Sequence, residues 1–558
     1  MSPRPADCLA GDAALARGAW TEAREAFAAA LRARESPEAL EGLGLAAWWL
    51  DLADEVFDAR EKAYRLFQAA NNPEGAARVG VWLAWDCWAF RGETAVANGW
   101  LHRARRLLDG RPLSPEHSWL ELREGALALF EEGDPDRAFG HAAEGIRVAR
   151  EVGSLDLEML GRAVQGLALV TSGAVAQGMR ELDEVNAAVV AGELTDLVVI
   201  GLSCCYLIAA CDRVRDYDRA MQWCTRLKSF CAKWGLRPLF AVCRTQYASI
   251  CMWRGTWHEA EEELSAATSE LAASRPAMTS EGLVRLAELR RRQGRLVEAA
   301  TLFQQAEPHG LSVLGRGELA FDRGDHRTAA EEAARYLRRV VPHNRIDRAA
   351  GLDLLVRAQV SAGDLDGART ALAELQAIST LVSTAPLRAF ASFAAGPVAL
   401  GAGDLEDARR QFEDAVDLFA QSGATFELAR ARIALARALA ARGRPEAAAD
   451  EARRALDLLG ELKAELEMSR ARALLDSLQP LRRAEGKDEA SAQRGGLTKR
   501  EIEVLRLVAT GLNNQLIANQ LFVSEHTIHR HIANIFTKLS VSSRAAAVAQ
   551  AARKGLLT

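Results

Sequence analysis

Two similar eleven-residue stretches, AGDLDGARTAL at residues 362–372 and AGDLEDARRQF at 402–412, show the pattern that decides the fold of most of the chain. In each, a turn glycine is followed by a short polar segment, a small Ala and, four positions after that Ala, a large apolar side chain. The pattern returns along the chain, clearly at 17–27, 254–264, 293–303 and 442–452 and more weakly at 91–101, 132–142, 172–182 and 215–224.

The turn glycines give the length of the repeating unit. Gly363, Gly403 and Gly443 follow one another at intervals of 40 residues. An apolar spacing of four residues is typical of helices, and a small Ala lets two helices approach closely. We therefore predict about eleven or twelve units of two helices joined by a Gly-containing turn, ending near Ser477. The units resemble tetratricopeptide repeats of more than the usual ~34 residues, which implies an all-α, tetratricopeptide-like α-solenoid with a concave binding surface.

A second pattern occupies the C-terminus, where LTKREIEVLRLVATGLNNQLIANQLFVSEHTIHRHIANIFTKLSVSSRAAAVAQAARKG fills residues 497–555. Four short helices are predicted in it. Thr498 and Glu501 form a capping box at the start of the first helix, and Gly511 ends that helix. The second helix is predicted near 514–521, and Ser524 is placed to cap the third.

The third helix carries the candidate chemistry. Its apolar residues recur at helical spacing and are predicted to face a core: Ile528, Ile532, Ile535 and Leu539. This places His529, Arg530 and Ala533 on the opposite, solvent-facing side. A helix with an apolar back and a basic N-terminal half suits the major groove of DNA, where Arg can bond bidentately to guanine.

The quoted segment resembles the C-terminal domain of LuxR-type transcription factors, on the residues LTKRE at 497–501, GLNNQLIANQLFVS at 511–524, TIHRHIANI at 527–535 and KLSVSSR at 538–544. The resemblance implies a four-helix helix-turn-helix domain whose third helix enters the major groove. It implies base contacts by His529 and Arg530 and phosphate contacts by Lys538 and Arg544. The full implied set for DNA is Thr498, Ser524, His526, Thr527, His529, Arg530, His531, Lys538 and Arg544. The fourth helix would form a homodimer on DNA through Ala545, Ala549 and Ala552.

Local charge agrees with double-stranded DNA as the partner. Residues 497–558 carry eight Lys and Arg against three Glu, a formal charge of +5, whereas the whole chain carries −5, which leaves −10 on the first 496 residues. A basic tip on an acidic body binds phosphate without attracting the whole molecule to DNA. The stretch between them is polar and is predicted to be a flexible linker, with a frayed helix end as the alternative for its first half. The predicted domains are the repeat array at 1–478, the linker at 479–495 and the helix-turn-helix domain at 496–558.

The sequence contains no phosphate-loop motif, and no Ser-His-Asp or Cys-His catalytic arrangement can be recognised in it. Large LuxR-type regulators of the MalT-like group often carry an ATPase module, but no G-x-x-x-x-G-K-[ST] motif is present here. No enzyme activity and no cofactor are therefore predicted. His526 and His529 lie near each other without a Cys or acidic cluster to complete a zinc site, so no metal is predicted.

Cysteine and hydropathy patterns predict a cytoplasmic protein. The N-terminus has no apolar signal region, and the apolar run at 197–211 is too short to span a membrane. Seven of the nine Cys lie between Cys204 and Cys251 without a C-x-x-C motif. Buried, reduced thiols are the expected interpretation; Cys224, Cys231 and Cys243 are among them.

Tryptophan is concentrated near the N-terminus, and Trp82, Trp85 and Trp88 step by three along one broad helix face. Packing in a repeat seam is the favoured interpretation, because Trp is a normal seam residue in such repeats. An aromatic wall for a ligand or a partner protein is the alternative.

Two functional hypotheses follow. In the first, the chain is a DNA-binding transcriptional regulator whose repeat array senses an unknown small-molecule inducer or a protein partner. In the second, the array is a protein–protein interaction scaffold and the DNA-binding tip is secondary.

Overall fold

The computed structural model confirms the all-α class. Every regular element among the described residues is helical, and 3₁₀ geometry occurs at Pro276–Met278 and at Cys8. The chain forms two compact units, one of Met1–Ala358 with Glu374–Thr384 and one of Gln359–Ala373 with Ala385–Thr558. The structure describes residues 8–223, 226, 237–307, 309–489, 497, 499–521, 523, 525–539, 541 and 543–557.

In the first unit, consecutive helices pack against one another from α1 to α11 and from α13 to α18. This pairwise packing of neighbouring helices is the arrangement predicted for tetratricopeptide-like repeats. The helices are α1 (Leu9–Ala16), α2 (Trp20–Ala33), α3 (Pro37–Trp49), α4 (Ala53–Ala69), α5 (Pro73–Arg91), α6 (Thr94–Leu108), α7 (Pro115–Phe130), α8 (Pro135–Glu151), α9 (Leu155–Ser172), α10 (Val175–Ala191), α11 (Leu197–Val214), α12 (described at 217–223), α13 (Arg237–Arg254), α14 (Trp257–Ser274), α15 (Thr279–Arg292), α16 (Leu296–Gln305), α17 (Gly310–Asp322), α18 (His326–Arg339), most of α19 (Arg345–Ala362) and the second half of α20 (Leu365–Val382).

The second unit continues the same arrangement and ends in four short helices. After the end of α19 and the first half of α20, its helices are α21 (Ala385–Gly401), α22 (Leu405–Gln421), α23 (Thr425–Ala441), α24 (Pro445–Leu462), α25 (Glu465–Glu489), α26 (Lys499–Ala509), α27 (Asn514–Leu521), α28 (Glu525–Leu539) and α29 (Arg544–Arg553). Helix α25 continues to Glu489 and so includes the first part of the segment predicted as a linker. For that part the structure agrees with the alternative interpretation, a helix end. Residues 490–496 lie outside the described residues.

The repeated motif works as its residue types predict. Gly403 and Gly443 have φ angles of +80° and +66°, a left-handed conformation that glycine adopts without a steric penalty, so each ends its helix and reverses the chain. The small residues that follow, Ala408 and Ala448, are completely buried. Phe412, four positions after Ala408, is also buried. The motif therefore holds the two helices of a unit at close distance and fills the seam between units.

The aromatic rings of this motif pack directly against glycines in neighbouring helices, which the repeat pattern did not predict. A Cβ on Gly315 in α17 would lie 2.1 Å from the ring of Phe303 in α16, and a Cβ on Gly396 in α21 would lie 2.2 Å from that of Phe412. The ring of Phe27 in α2 lies in the same way against Gly42 in α3. These glycines are sites of close approach, because any side chain there would overlap the ring.

Helix α11 is long and apolar enough to cross a membrane by length and composition, but 78% of the tested window is buried inside the first unit. It packs against α9 and α13. The helix thus has the environment of a core helix. Cys204 and Cys211 on it are buried, as is Cys251 on α13, whereas Cys224, Cys231 and the side chain of Cys243 lie outside the described residues.

The last four helices enclose a core of their own. Its buried apolar residues run from Leu497 to Leu556 and include residues from each of α26, α27, α28 and α29. Gly511 has a φ of +85° and follows the end of α26, as predicted. Ser543 is the N-cap of α29, and its side chain accepts a hydrogen bond from the Ala546 amide at 3.2 Å. This apolar cluster draws only on residues between 497 and 556, and independent folding of these four helices stays a prediction.

Candidate nucleic-acid interface

Helix α28 has the two faces that the sequence predicted. Ile528, Ile532, Ile535 and Leu539 are buried in the core of the four-helix domain. On the opposite face His529 and Ala533 are exposed. Because the apolar residues fix the rotation of the helix, they also fix which polar side chains point outward.

Arg530 belongs to the outward face but is only 26% exposed, because it meets the repeat helices of the second unit. Its Nη1 donates a hydrogen bond to Oε1 of Glu451 in α24 at 2.7 Å. The Glu451 carboxylate is buried and also accepts from Arg432 at 2.5 Å and Arg454 at 3.3 Å. The sequence predicted Arg530 as a solvent-facing base reader; in this structure the side chain is engaged with a carboxylate instead.

Thr527 also contacts the repeat helices. It is buried, and its Oγ1 lies 3.4 Å from Oε2 of Glu413 in α22. A cleft of about 370 Å³ separates the rest of α28 from α22, α23 and α24. The cleft is lined by Glu413, Val416, Asp417, Arg432, Leu435, Arg454, Thr527, His529, Arg530 and Ala533.

His531 lies on α28 between the two faces. Burial lowers its pKa to about 4, and the nearby Arg530 guanidinium acts in the same direction. The imidazole is therefore neutral at pH 7. Any contact that it makes with DNA would be a hydrogen bond rather than a charge–charge attraction.

Lys538 and Arg544, the residues implied as phosphate contacts, both have partners inside the domain. The Lys538 ammonium bonds both carboxylate oxygens of Glu501, at 2.9 and 2.8 Å, and the Glu501 side chain is only 4% exposed. Arg544 donates to the Leu512 carbonyl at 3.2 Å and to the Asn514 side chain. These bonds hold α28 to α26 and the start of α29 to the turn before α27. The structure thus assigns both residues a structural role, and phosphate binding stays a prediction.

Three other implied residues cannot be placed. Thr498 and Ser524 lie outside the described residues, and so does the side chain of His526. The capping box of Thr498 with Glu501 and the cap by Ser524 therefore remain predictions. Glu501 itself is buried and bonded to Lys538, a role that its place in the capping pattern did not suggest.

The surface implied for dimerisation is present on α29. Ala545, Ala549 and Ala552 are exposed, whereas Ala547 and Ala551 are buried in the domain core. The helix therefore presents a narrow face of small side chains that a second copy could approach closely.

The tryptophans near the N-terminus surround buried arginines. Trp85 is buried, and the guanidinium of Arg123 lies 4.1 Å from its ring centroid, 5.0 Å from that of Trp119 and 5.3 Å from that of Trp82. Burial lowers the pKa of Arg123 to about 10. Trp88 is half-buried and donates from its indole to Glu131. Trp82, Trp85 and Trp88 thus have different environments, and their role as a ligand or partner surface stays a prediction.

One cluster with metal-ligating residue types occurs in the first unit, where atoms of Glu121, Glu124 and His141 lie within 4.8 Å of one another. Arg105 already pairs with both carboxylates, with Nη2 at 2.8 Å from Glu121 and 2.6 Å from Glu124. The carboxylate charges are therefore compensated by a guanidinium. The sequence does not reveal this cluster because its members lie on two different helices, α7 and α8.

Comparison with known proteins identifies the C-terminal helices. Residues 496–551 match the family of bacterial regulatory proteins described as the luxR family. The nitrate/nitrite response regulator protein homolog of Haemophilus influenzae is 59% identical over 51 residues, which are 9% of this chain and 24% of that protein. The transcriptional regulatory protein DegU of Brevibacillus brevis is 41% identical over 59 residues, 11% of this chain and 25% of that protein. The match spans about a quarter of the length of these relatives, and residues 496–551 form a luxR-family domain.

Solved structures resemble the helical repeats. The Cut9–Hcn1 hetero-tetramer of the APC/C has 14% sequence identity and a TM-score of 0.45 over 84% of this chain and 95% of that chain. A Rap protein complexed with competence and sporulation factor has 13% identity and a TM-score of 0.40 over 61% of this chain and 98% of that chain. At these values the likeness carries no information about function.

Proposed function

We propose that this chain is a DNA-binding transcriptional regulator that reads duplex DNA with α28 in the major groove. The observation that carries the proposal is the luxR-family match of residues 496–551 together with the two faces of α28. The buried isoleucines fix the helix in the domain, and the outward face presents Arg530 and His529. Helix-turn-helix proteins place a helix of this kind in the major groove.

Within this proposal Arg530 and His529 contact base edges, and Thr527 and His531 contribute uncharged hydrogen bonds. Arg carries the most specific of these contacts, because its guanidinium matches the two acceptors of guanine. Lys538 and Arg544 orient α28 and α29 through their bonds inside the domain, and their exposed parts provide positive charge near the phosphates. Two copies of the domain would bind together through the alanine face of α29.

The repeat array is the proposed sensor. Tetratricopeptide-like arrays offer a large surface for a ligand or a protein partner, and here the array makes up most of a chain in which no enzyme activity is proposed. A cytoplasmic location follows from the function, since the DNA target lies there in bacteria.

The test uses the isolated residues 496–558, because their helices share an apolar cluster of their own. The variants are Arg530→Ala and, as a control of equal charge change, Arg553→Ala; Arg553 is exposed at the end of α29. On a duplex selected by the wild type, Arg530→Ala should weaken binding by about 1–3 kcal/mol and relax preference at one base position. Arg553→Ala should leave base preference unchanged. A domain that binds no duplex, or an Arg530→Ala variant with unaltered preference, would contradict the proposal.

A further inference from the structure

We propose that the cleft formed by α22, α23 and α24 is a docking surface for α28 of the same chain, and that DNA competes with this surface for the same side chains. The inference rests on the proposed function in one respect, namely that DNA is the competitor. The docking itself is inferred from contacts within the second unit, namely those of Arg530 and Thr527 with the repeat helices.

The first contact is the ion pair of Arg530 with Glu451, at 2.7 Å. The Glu451 side chain is 3% exposed, so the pair is screened little by water, and a charge-assisted hydrogen bond in such a place is among the stronger polar contacts. A phosphate or a guanine base can reach Arg530 only after this bond is broken.

The second contact fixes the helix in rotation. Thr527, three positions before Arg530 and therefore on the same side of α28, lies 3.4 Å from Glu413. The Glu413 carboxylate is held in place by Arg409 at 2.5 Å. Two side chains that are proposed to face DNA thus face two acidic residues, one on α22 and one on α24. Contacts one turn apart orient the helix, whereas a single contact would leave it free to rotate.

Glu413 and Glu451 each keep an arginine partner when α28 leaves the cleft. When Arg530 leaves, Glu451 keeps Arg432 and Arg454, and Glu413 keeps Arg409. The cleft is lined by the acidic Glu413 and Asp417 and by the basic Arg432 and Arg454. Both arginines also pair with Glu451, so Arg530 meets their repulsion as well as the attraction of that carboxylate. The two arginines thus offset part of the strength of the Arg530–Glu451 bond, so the docking is reversible and small changes in the repeat helices can shift it.

Docking and DNA binding exclude each other for a geometric reason. On the outward face of α28, Thr527 and Arg530 contact the repeat helices, and His529 and Ala533 line the cleft beside them. Entry into a major groove about 12 Å wide requires that face to be free of protein. The chain that binds DNA is consequently the undocked fraction, and the observed dissociation constant is the intrinsic one divided by that fraction. A ligand or partner that moves α22, α23 or α24 would raise DNA affinity without touching the DNA-binding domain.

The experiment compares full-length variants on a duplex with a single half-site, so that dimer formation does not add affinity. Glu413→Gln with Glu451→Gln removes both charges and keeps side-chain volume. Glu461→Gln is the control, because Glu461 is an exposed residue on the same helix α24. Full-length wild type should bind about tenfold or more weakly than the isolated domain, and the double variant should recover most of that difference. The control should bind like the wild type.

A second measurement does not involve DNA. Amide hydrogen exchange of α28 in the full-length chain should be faster in the double variant than in the wild type or the control. The increase should be larger in α28 than in α22 and α24, which lose only the pairs of Glu413 and Glu451 with neighbouring arginines. Equal binding by wild type and isolated domain, or unchanged exchange in α28, would overturn the docking surface. Faster exchange with no DNA binding by the isolated domain would instead retain the docking surface and reject the proposed function.

Discussion

The ion pair of Lys538 with Glu501 allows a quantitative prediction, since a residue implied as a phosphate contact is also a structural link. In Lys538→Ala the Glu501 carboxylate, which is 4% exposed, loses both hydrogen bonds from the ammonium. Charge-assisted hydrogen bonds contribute about 1.5–3 kcal/mol when buried. The Lys538 side chain is 39% exposed, and solvent screening reduces the expected loss to about 1–2 kcal/mol.

The assay is thermal unfolding of the isolated domain, residues 496–558. For a domain of this size a loss of 1–2 kcal/mol lowers Tm by roughly 8–15 °C. Lys554→Ala is the control, because Lys554 is exposed after the end of α29 and its replacement by Ala removes the same charge. Glu501→Gln combined with Lys538→Ala should be less destabilised than the sum of the two single variants. An unchanged Tm in Lys538→Ala would refute the structural role and leave phosphate binding as the only function of that side chain.

Three further predictions concern packing, pH and the aromatic region. Gly315→Ala should destabilise the first unit by about 1–3 kcal/mol, since a Cβ would overlap the Phe303 ring, whereas Gly140→Ala, with open space around a helical glycine, should stabilise by about 0.5–1 kcal/mol; similar melting shifts would contradict this contrast. Because the pKa of His531 is lower in the folded chain than in the unfolded one, the unfolded chain binds a proton at this imidazole more readily; the stability that depends on neutral His531 is fully present above about pH 6.5 and is lost as pH falls towards 4. The isolated domain with His531→Gln should therefore lose less stability over that range than the wild type, and an identical pH profile would contradict the burial of this imidazole. Trp85→Ala should destabilise the fold by about 3–5 kcal/mol, as expected for a buried aromatic; a normal melting temperature with a lost response to an inducer would indicate a ligand wall instead.

Local patterns determined much of what the sequence could predict. The turn at Gly403 and the small residue at Ala408 follow from backbone freedom and helix spacing, and both can be read within one repeat. The rotation of α28 follows in the same way from the spacing of Ile528, Ile532 and Ile535. These features depend on residues a few positions apart.

Contacts between distant residues could not be predicted. Nothing near Glu451 distinguishes it from other glutamates on repeat helices, yet it meets Arg530 in space, 79 residues further along the chain. Gly315 resembles any glycine until the Phe303 ring is placed against it. The family resemblance implies phosphate contact for Lys538, and the sequence does not show that Glu501 lies within hydrogen-bonding distance of it. In each case the partner is fixed by the packing of helices and not by spacing.

The measurement that tests the central claim most directly is selection of bound duplexes from a random pool by the full-length protein, beside Arg530→Ala. The wild type should enrich an inverted repeat with half-sites about one helical turn apart, and its affinity should fall steeply with salt as counterions are released from phosphates. Arg530→Ala should lose the preference at one base of each half-site. Absence of any enriched sequence, or enrichment of the same sequence by both proteins, would contradict the claim that α28 reads DNA.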